Sequence, residues 1–455
     1  MDSPVINQLF KQLFAHRPCR ACSRHATAFG SYGATQTRSA SRRVEKSTLE
    51  SSWQQRTDHF PQDKADEFKR YPMVTSDSMR HRKERPRRAK MLMRDFVEDS
   101  LYNPTYGYFS KEATIFTPGE PFDFNSFPDE ASFNRELGDR YTKFEDALDE
   151  REYKEARQLW HTPTELFKPY YGEAIARYLV ANYKLSLYPY HDLLIYEMGA
   201  GNGTLMLNIL DYIRASDPEV YARTKFRVIE VSSALASLQT AQLARNAESR
   251  GHADKVSIIN RSIFDWKEYV SSPCFFLAME VFDNFAHDVI RYHPFTEEPL
   301  QGLALVDNEG DFFEFYSQTL DPVAARFLRV RDAACANRSY NHPLRGSRLL
   351  RNLRSKLPLA PNLTSLLSPP SHLDKVKDAV LTCLTQVHQG FFDILFPTDF
   401  GVMEDIYRAI TGKLTRVMTH EDFFKRWAYV EDTQMRNGEN PLLSWYKNAS
   451  VMITV

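Results

Sequence analysis

An apolar run, Leu193-Leu194-Ile195-Tyr196, leads into Glu197-Met198-Gly199-Ala200-Gly201-Asn202-Gly203-Thr204, and an amphipathic helical pattern follows at once. Glycines at alternate positions let the backbone turn sharply and let a ligand approach the main chain. A helix that opens directly after such a turn offers unpaired N–H donors. Strand, glycine turn and helix in that order form one ligand-binding crossing of an α/β sheet, so the rest of the chain must be compatible with such a sheet.

The flanking pattern is compatible. Leu193–Met198 reads as a buried strand, and Thr204–Arg214 as a helix with Met206, Ile209, Leu210 and Ile213 on one face. Phe226–Val231, Val256–Ile259 and Phe275–Met279 read as further strands, with a helix at 233–246 between the first two. This alternation predicts a mostly parallel sheet with helices on both faces. From Val289 the grammar changes, and Val289–Tyr292, Leu303–Val306 and Phe312–Tyr316 read as antiparallel strands joined by turns. Helices are expected over Met91–Val97, 129–159 and 164–183, helices and loops over 322–380, a strand and tight turn over 388–401, and a terminal strand at Ala449–Val455.

The loop chemistry separates two ligand classes. A dinucleotide loop runs G-x-G-x-x-G and cradles pyrophosphate. Here the run is G-x-G-x-G followed by Thr204, and the strand ends in an acid, Glu197. A carboxylate there repels pyrophosphate but pairs with the ammonium of an amino acid. E-x-G-x-G-x-G is the loop of Rossmann-like methyltransferases that use S-adenosylmethionine, a cofactor with an amino group, a sulfonium and no phosphate. Three other parts fall in matching chain order. Glu230 ends the next strand, where a carboxylate accepts both ribose hydroxyls. Asp265 follows the third strand, where it or adjacent backbone reads the adenine amino group, with Phe264 or Trp266 stacked on the ring. After the fourth strand comes Glu280-Val281-Phe282-Asp283-Asn284-Phe285. Glu197, Gly199, Gly201, Gly203, Thr204, Glu230, Phe264 and Asp265 are therefore the candidate cofactor residues.

Methyl transfer needs little acid–base power, because a sulfonium is already a good leaving group; placement in line with the methyl carbon dominates. For an arginine acceptor, which only the family resemblance given below implies, transfer is harder, since the guanidinium is cationic and delocalised. Carboxylates must hold it, localise its charge and take up a proton. Glu280 and Asp283, three apart at the carboxyl end of the fourth strand, are the candidate catalytic clamp. The other reading has Asp283 capping a following helix. His287 is weighed as an acid–base group and Asp399 as a turn former.

The ends of the chain differ in kind. Ser3–Val44 holds no Asp or Glu but several Arg, and Leu9, Phe10, Leu13 and Phe14 form one helical face. An acid-free, Arg- and Ser-rich amphipathic start is the pattern of a mitochondrial transit peptide, taken as 1–44. His16, Cys19, Cys22 and His25 have zinc-type residues, but they fall inside that segment and in one short run, so no metal site is expected. Residues 45–90 read as a disordered linker ending in the basic run Arg80–Lys90. The formal net charge of −1 argues against a whole-chain nucleic-acid binder, and without interleaved aromatics the basic run reads as a solvated lead-in. No stretch of some 18 apolar residues exists to span a membrane. The five cysteines are too few and scattered for a disulfide scaffold.

The chain resembles the MidA family of mitochondrial and bacterial methyltransferases, over about 91–317. The resemblance is carried by Asn103-Pro104-Thr105-Tyr106-Gly107-Tyr108-Phe109, by Thr162-Pro163-Thr164-Glu165-Leu166-Phe167, by Glu197–Thr204, by Glu230-Val231-Ser232, and by Glu280–Phe285. It implies a Rossmann-like class I methyltransferase fold with added helices and an antiparallel β insertion, within a domain at 91–455. It implies S-adenosylmethionine as methyl donor, symmetric dimethylation of an arginine in a core subunit of respiratory complex I, and the mitochondrial matrix. The chain departs from the family at Met279 and at Asn284-Phe285-Ala286, which replace an Asn and an Ala-Leu-Pro. It also carries a charged insertion at about 110–158 and a segment at 322–380 without a counterpart. Two alternatives stay open: a catalytically inactive assembly chaperone with this fold, and an RNA methyltransferase using the basic run.

Overall fold

A computed structural model of the chain describes residues 65–111, 113–151, 158–230, 244–293, 296, 298–334, 389 and 393–454. All lie in the compact unit Ser52–Val455. The expected transit segment, the His/Cys run, most of the helix at 233–246 and residues 335–380 lie outside the described residues.

The principal elements begin with α1 (Ala65–Lys69), α2 (Ser76–Met79), β1 (Ala89–Leu92), α3 (Met93–Tyr102), β2 (Ala113–Ile115), α4 (Glu130–Arg151), β3 (Gln158–Trp160), α5 (Pro163–Leu166) and α6 (Tyr170–Ser186). The central run is β4 (Leu193–Met198), α7 (Thr204–Ser216), α8 (Pro218–Ala222), β5 (Thr224–Glu230), β6 (Val256–Asn260) and β7 (Phe275–Ala278). Then follow β8 (Ile290–Tyr292), β9 (Pro299–Val306), β10 (Phe312–Ser317), α9 (Pro322–Ala334), α10 (Phe400–Thr411), β11 (Thr415–Thr419), α11 (His420–Trp427) and β12 (Ser450–Thr454).

Strands β6, β5, β4 and β7 form one sheet in that order, parallel throughout. Glu197 of β4 stands opposite Val228 of β5 and Leu277 of β7. The chain moves outward from β4 to β5 and β6, then returns to place β7 on the other side of β4. The gap above β4 and β7 is thus the switch point where open α/β sheets hold ligands. Strands β4 and β5 are apolar on both faces because protein packs against both. Ile175, Ala176 and Leu179 of α6 and Met206, Ile209, Leu210 and Ile213 of α7 are buried against Leu193, Ile195, Phe226 and Val228. Each aliphatic side chain larger than alanine contributes roughly 1.5–3 kcal/mol by leaving water. On the opposite face Tyr196 and Ile229 pack with Trp266 and Ile263.

The antiparallel part is also present, with a change of membership. β9 is flanked by β10 and β1, and its first residues pair with β8. β1 comes from 89–92, where a linker and then a helix were expected. Its pairing partner lies some two hundred residues away, so no local pattern announces it. The linker reading is corrected from residue 65 onward: Phe68, Tyr71 and Met79 are buried, and Val74 donates to the Lys90 carbonyl. The basic run stays largely exposed at 81–84 and 87–88, but three of its members hold protein carbonyls. Arg85 donates to the Gln389 carbonyl and lies over the Tyr106 ring, Arg87 donates to the Asn308 carbonyl, and Lys90 to the Lys69 carbonyl.

The charged insertion closes on itself. β2 and β3 pair in parallel, with Ile115 opposite Trp160 and the helix α4 forming the crossover between them. Only Phe133 and Leu137 of α4 are buried, which explains its charged sequence. Residues 393–399 form no strand, contrary to expectation. Pro397 supplies no amide donor, and Asp399 caps α10 by accepting from the Val402 N–H at 3.1 Å. β12 does form, at Ser450–Thr454, antiparallel to β11.

Candidate functional site

The glycine turn sits at the carboxyl end of β4. Gly199, Gly201 and Gly203 have φ of +66°, +54° and +77°, the left-handed region that glycine alone enters without strain. The Gly199 N–H donates to the Ile229 carbonyl at 3.1 Å, which ties the turn to the end of β5 and puts Glu230 beside it. A Cβ on Gly201 would lie 2.8 Å from Ile115 Cδ1, so β2 of the insertion approaches the same loop. A Cβ on Gly199 would lie 3.6 Å from Val281 Cγ2, so the loop after β7 touches the glycine turn directly. The two halves of the expected site are therefore neighbours at the switch point.

Glu197 is 3% exposed, and its Oε2 has no hydrogen-bond partner. Burial first, and the nearby Glu230 carboxylate second, push its carboxyl up to about 8. Once ionised, its Oε2 can accept from a cationic donor. Thr204 opens α7, and its hydroxyl donates to Glu165 at 2.6 Å. Asp265 and the exposed Phe264 lie on a single turn, Ile263–Asp265, with Phe264 edge-on to Phe285 at 4.9 Å. Trp266, the other stacking candidate, packs beneath on Tyr196 and Phe276, which leaves Phe264 as the open aromatic.

Glu280 follows β7 with φ +55°, a left-handed conformation rare for a residue with a side chain. Holding it costs about 1–3 kcal/mol, which the surroundings must supply. The Asn284 side-chain amide donates to the Glu280 carbonyl at 3.2 Å, and Tyr102 Oη donates to the Asn284 carbonyl at 2.9 Å. Glu280 is solvent-exposed at the carboxyl end of β7. Burial, then Asp283, raises its carboxyl to about 7. Burial also raises Asp283. No helix follows Asp283: residues 282–285 form a turn, which removes the capping alternative. His287 stacks on Phe396 at 4.3 Å and is pulled down chiefly by burial, so it is neutral near pH 7.

Several site residues escaped the sequence reading. Phe396 N–H donates to the Asp283 carbonyl at 2.9 Å, which brings Asp393 to the same place. Asp393 is raised to about 7 by burial, opposed by its Ile394 amide bond and reinforced by Asp283. Tyr102 of α3 is raised by burial and then by Glu98, Asp393, Asp283 and Glu230, so these carboxyls all lie within electrostatic reach of its hydroxyl. Among the described residues, Glu280, Asp283 and Asp393 form no ion pair with Lys or Arg. No motif marks Asp393, since only the fold brings it there. The described residues contain no cluster of His, Cys, Asp and Glu suited to a metal. No described helix is long and apolar enough to cross a membrane. A polar hollow lined by Tyr190, His191, Lys225 and Arg227 lies at the opposite end of β4 and β5, where Lys225 is paired with Asp192.

A parallel sheet in this order, a glycine turn preceded by a buried acid and an acid ending the neighbouring strand define a Rossmann-like class I methyltransferase. The family described as "Putative S-adenosyl-L-methionine-dependent methyltransferase" matches residues 174–419. The chain belongs to that family, the MidA-like methyltransferases, and S-adenosylmethionine is its cofactor. The protein arginine methyltransferase NDUFAF7 homolog, mitochondrial, of Schizosaccharomyces pombe is 30% identical over 207 residues. That match spans 45% of this chain and 42% of the yeast protein, less than half of each. Two crystal structures of Burkholderia thailandensis proteins are also similar. One, with S-adenosyl-homocysteine bound, has a TM-score of 0.33 at 17% identity over 54% of this chain and 55% of that one. The other has a TM-score of 0.39 at 14% identity over 73% of this chain and 74% of that one.

The residues present fit the cofactor. The unpartnered Oε2 of Glu197 suits an ammonium donor, and the loop carries no Cβ at the three positions where a ligand meets backbone.

Proposed function

We propose that this protein is a mitochondrial matrix protein-arginine methyltransferase that symmetrically dimethylates an arginine of a core subunit of respiratory complex I. The observation that carries the acceptor class is Glu280, held in a left-handed backbone beside the cofactor loop with Asp283 close enough to raise its carboxyl. The name of the yeast relative and the acid-free N-terminus support the protein substrate and the mitochondrial setting.

In this reading the glycine turn with Glu197 and Thr204 holds the cofactor's amino-acid end, Glu230 its ribose, and Asp265 with Phe264 its adenine. When bound, S-adenosylmethionine supplies a methyl group on a sulfonium. Glu280 and Asp283 receive a guanidinium bidentately and fix which nitrogen faces the methyl. As that nitrogen gains its methyl it loses a proton, and a carboxylate with an acidity near 7 takes it at neutral pH. Asp393 adds negative charge near Asp283.

The test is incubation with methyl-labelled cofactor and solubilised complex I subunits, followed by acid hydrolysis and amino-acid analysis. Label in symmetric dimethylarginine supports the reading. Label in nucleotides after nuclease release moves the function to RNA. Cofactor binding with no label transferred moves it to the assembly chaperone.

A further inference from the structure

Glu165 belongs to neither set of residues above, yet it is 2% exposed and lies directly behind the glycine turn. The Thr162 side chain caps α5 by accepting from the Glu165 N–H, which fixes where this carboxylate points. Its Oε1 accepts from Thr204 Oγ1 at 2.6 Å and from Asn202 Nδ2 at 3.2 Å. Its Oε2 accepts from Lys168 Nζ at 3.0 Å. A carboxylate paired with lysine only accepts, so the single hydroxyl proton of Thr204 is committed to it. What Thr204 Oγ1 still offers is lone pairs. The Asn202 amide, also bonded to Thr117 Oγ1 at 3.3 Å, is committed as well. A helix start normally attracts anions. Here the first hydroxyl of the helix has only lone pairs left to offer, with a carboxylate on its proton side.

We propose that Glu165 is a positioning residue that makes the Thr204 hydroxyl an acceptor for the ammonium group of the cofactor's amino-acid moiety. It turns a helix N-terminus into a cation-selective subsite. The inference rests on the cofactor and is independent of the acceptor of the methyl group.

The test compares two ligands by calorimetry: S-adenosylhomocysteine, and 5′-methylthioadenosine, which keeps the adenosine and lacks the amino-acid part. In the full chain, Glu165→Ala and Thr204→Val each weaken S-adenosylhomocysteine about tenfold or more, while 5′-methylthioadenosine stays within about twofold. Thr204→Ser, which keeps the hydroxyl, recovers most of the affinity. Equal weakening of both ligands would make Glu165 a loop brace and overturn the proposal, as would no weakening of either. If Glu165→Ala fails to fold, Thr204→Val against Thr204→Ser decides alone. Wild-type binding of both ligands tests the cofactor site separately.

Discussion

Cofactor binding should expel a proton from Glu197. This carboxyl is buried, with an acidity near 8 in the free protein, so about nine-tenths of it is protonated at pH 7. An ammonium group docked on Oε2 requires the carboxylate. Ionising it at pH 7 costs about 1.4 kcal/mol, drawn from the binding energy. The sign follows from the raised folded-state value: the neutral form stabilises the free protein at low pH, and that stability is lost as pH rises through about 8. Cofactor affinity moves the other way, rising about tenfold from pH 6 to pH 7 and levelling above 8. Titrating S-adenosylhomocysteine at pH 7 in buffers of different ionisation enthalpy should show about 0.9 proton released per ligand bound. Glu197→Gln should release none and bind with flat pH dependence. Glu230→Gln, by removing the second cause of the shift, should lower the midpoint. Wild-type affinity unchanged between pH 6 and 8, with no proton exchanged, would refute this reasoning.

Glu280→Gln should lower methyl transfer at least about 100-fold while cofactor affinity stays within a few-fold, read from single-turnover rates beside calorimetry. Gly201→Ala forces a side chain into φ +54° and against Ile115; it should cost about 1–2 kcal/mol in urea unfolding and weaken cofactor binding. Phe133→Ala should cost about 3–5 kcal/mol in the same assay, because the ring is fully buried against Phe122, Phe124 and Trp445.

The central sheet was legible because β4 and β5 are short apolar runs buried on both faces, with the amphipathic helix α7 between them. The cofactor half of the site was legible for a related reason: Glu197, the glycines and Glu230 sit at fixed places relative to strand ends. β1 was not legible, since Ala89-Lys90-Met91-Leu92 carries its meaning only through pairing with Leu303–Val306. The run Asp393–Phe396 misled in the opposite direction. It is apolar enough for a strand, but its apolar residues Ile394 and Phe396 are buried beside α3 and the loop after β7 instead. Glu165 stood inside a recognised motif, yet its contact with Thr204 depends on how α5 meets the glycine turn, which spacing does not encode.

The most direct test of the account is equilibrium binding of labelled S-adenosylmethionine to the full chain, beside Glu230→Ala and Lys225→Ala. Lys225 lies at the far end of β5, so it controls for general damage to that strand. Glu230→Ala should lose most of its affinity while Lys225→Ala keeps it. Wild-type affinity in Glu230→Ala would contradict the placement of the cofactor at the carboxyl ends of β4 and β5.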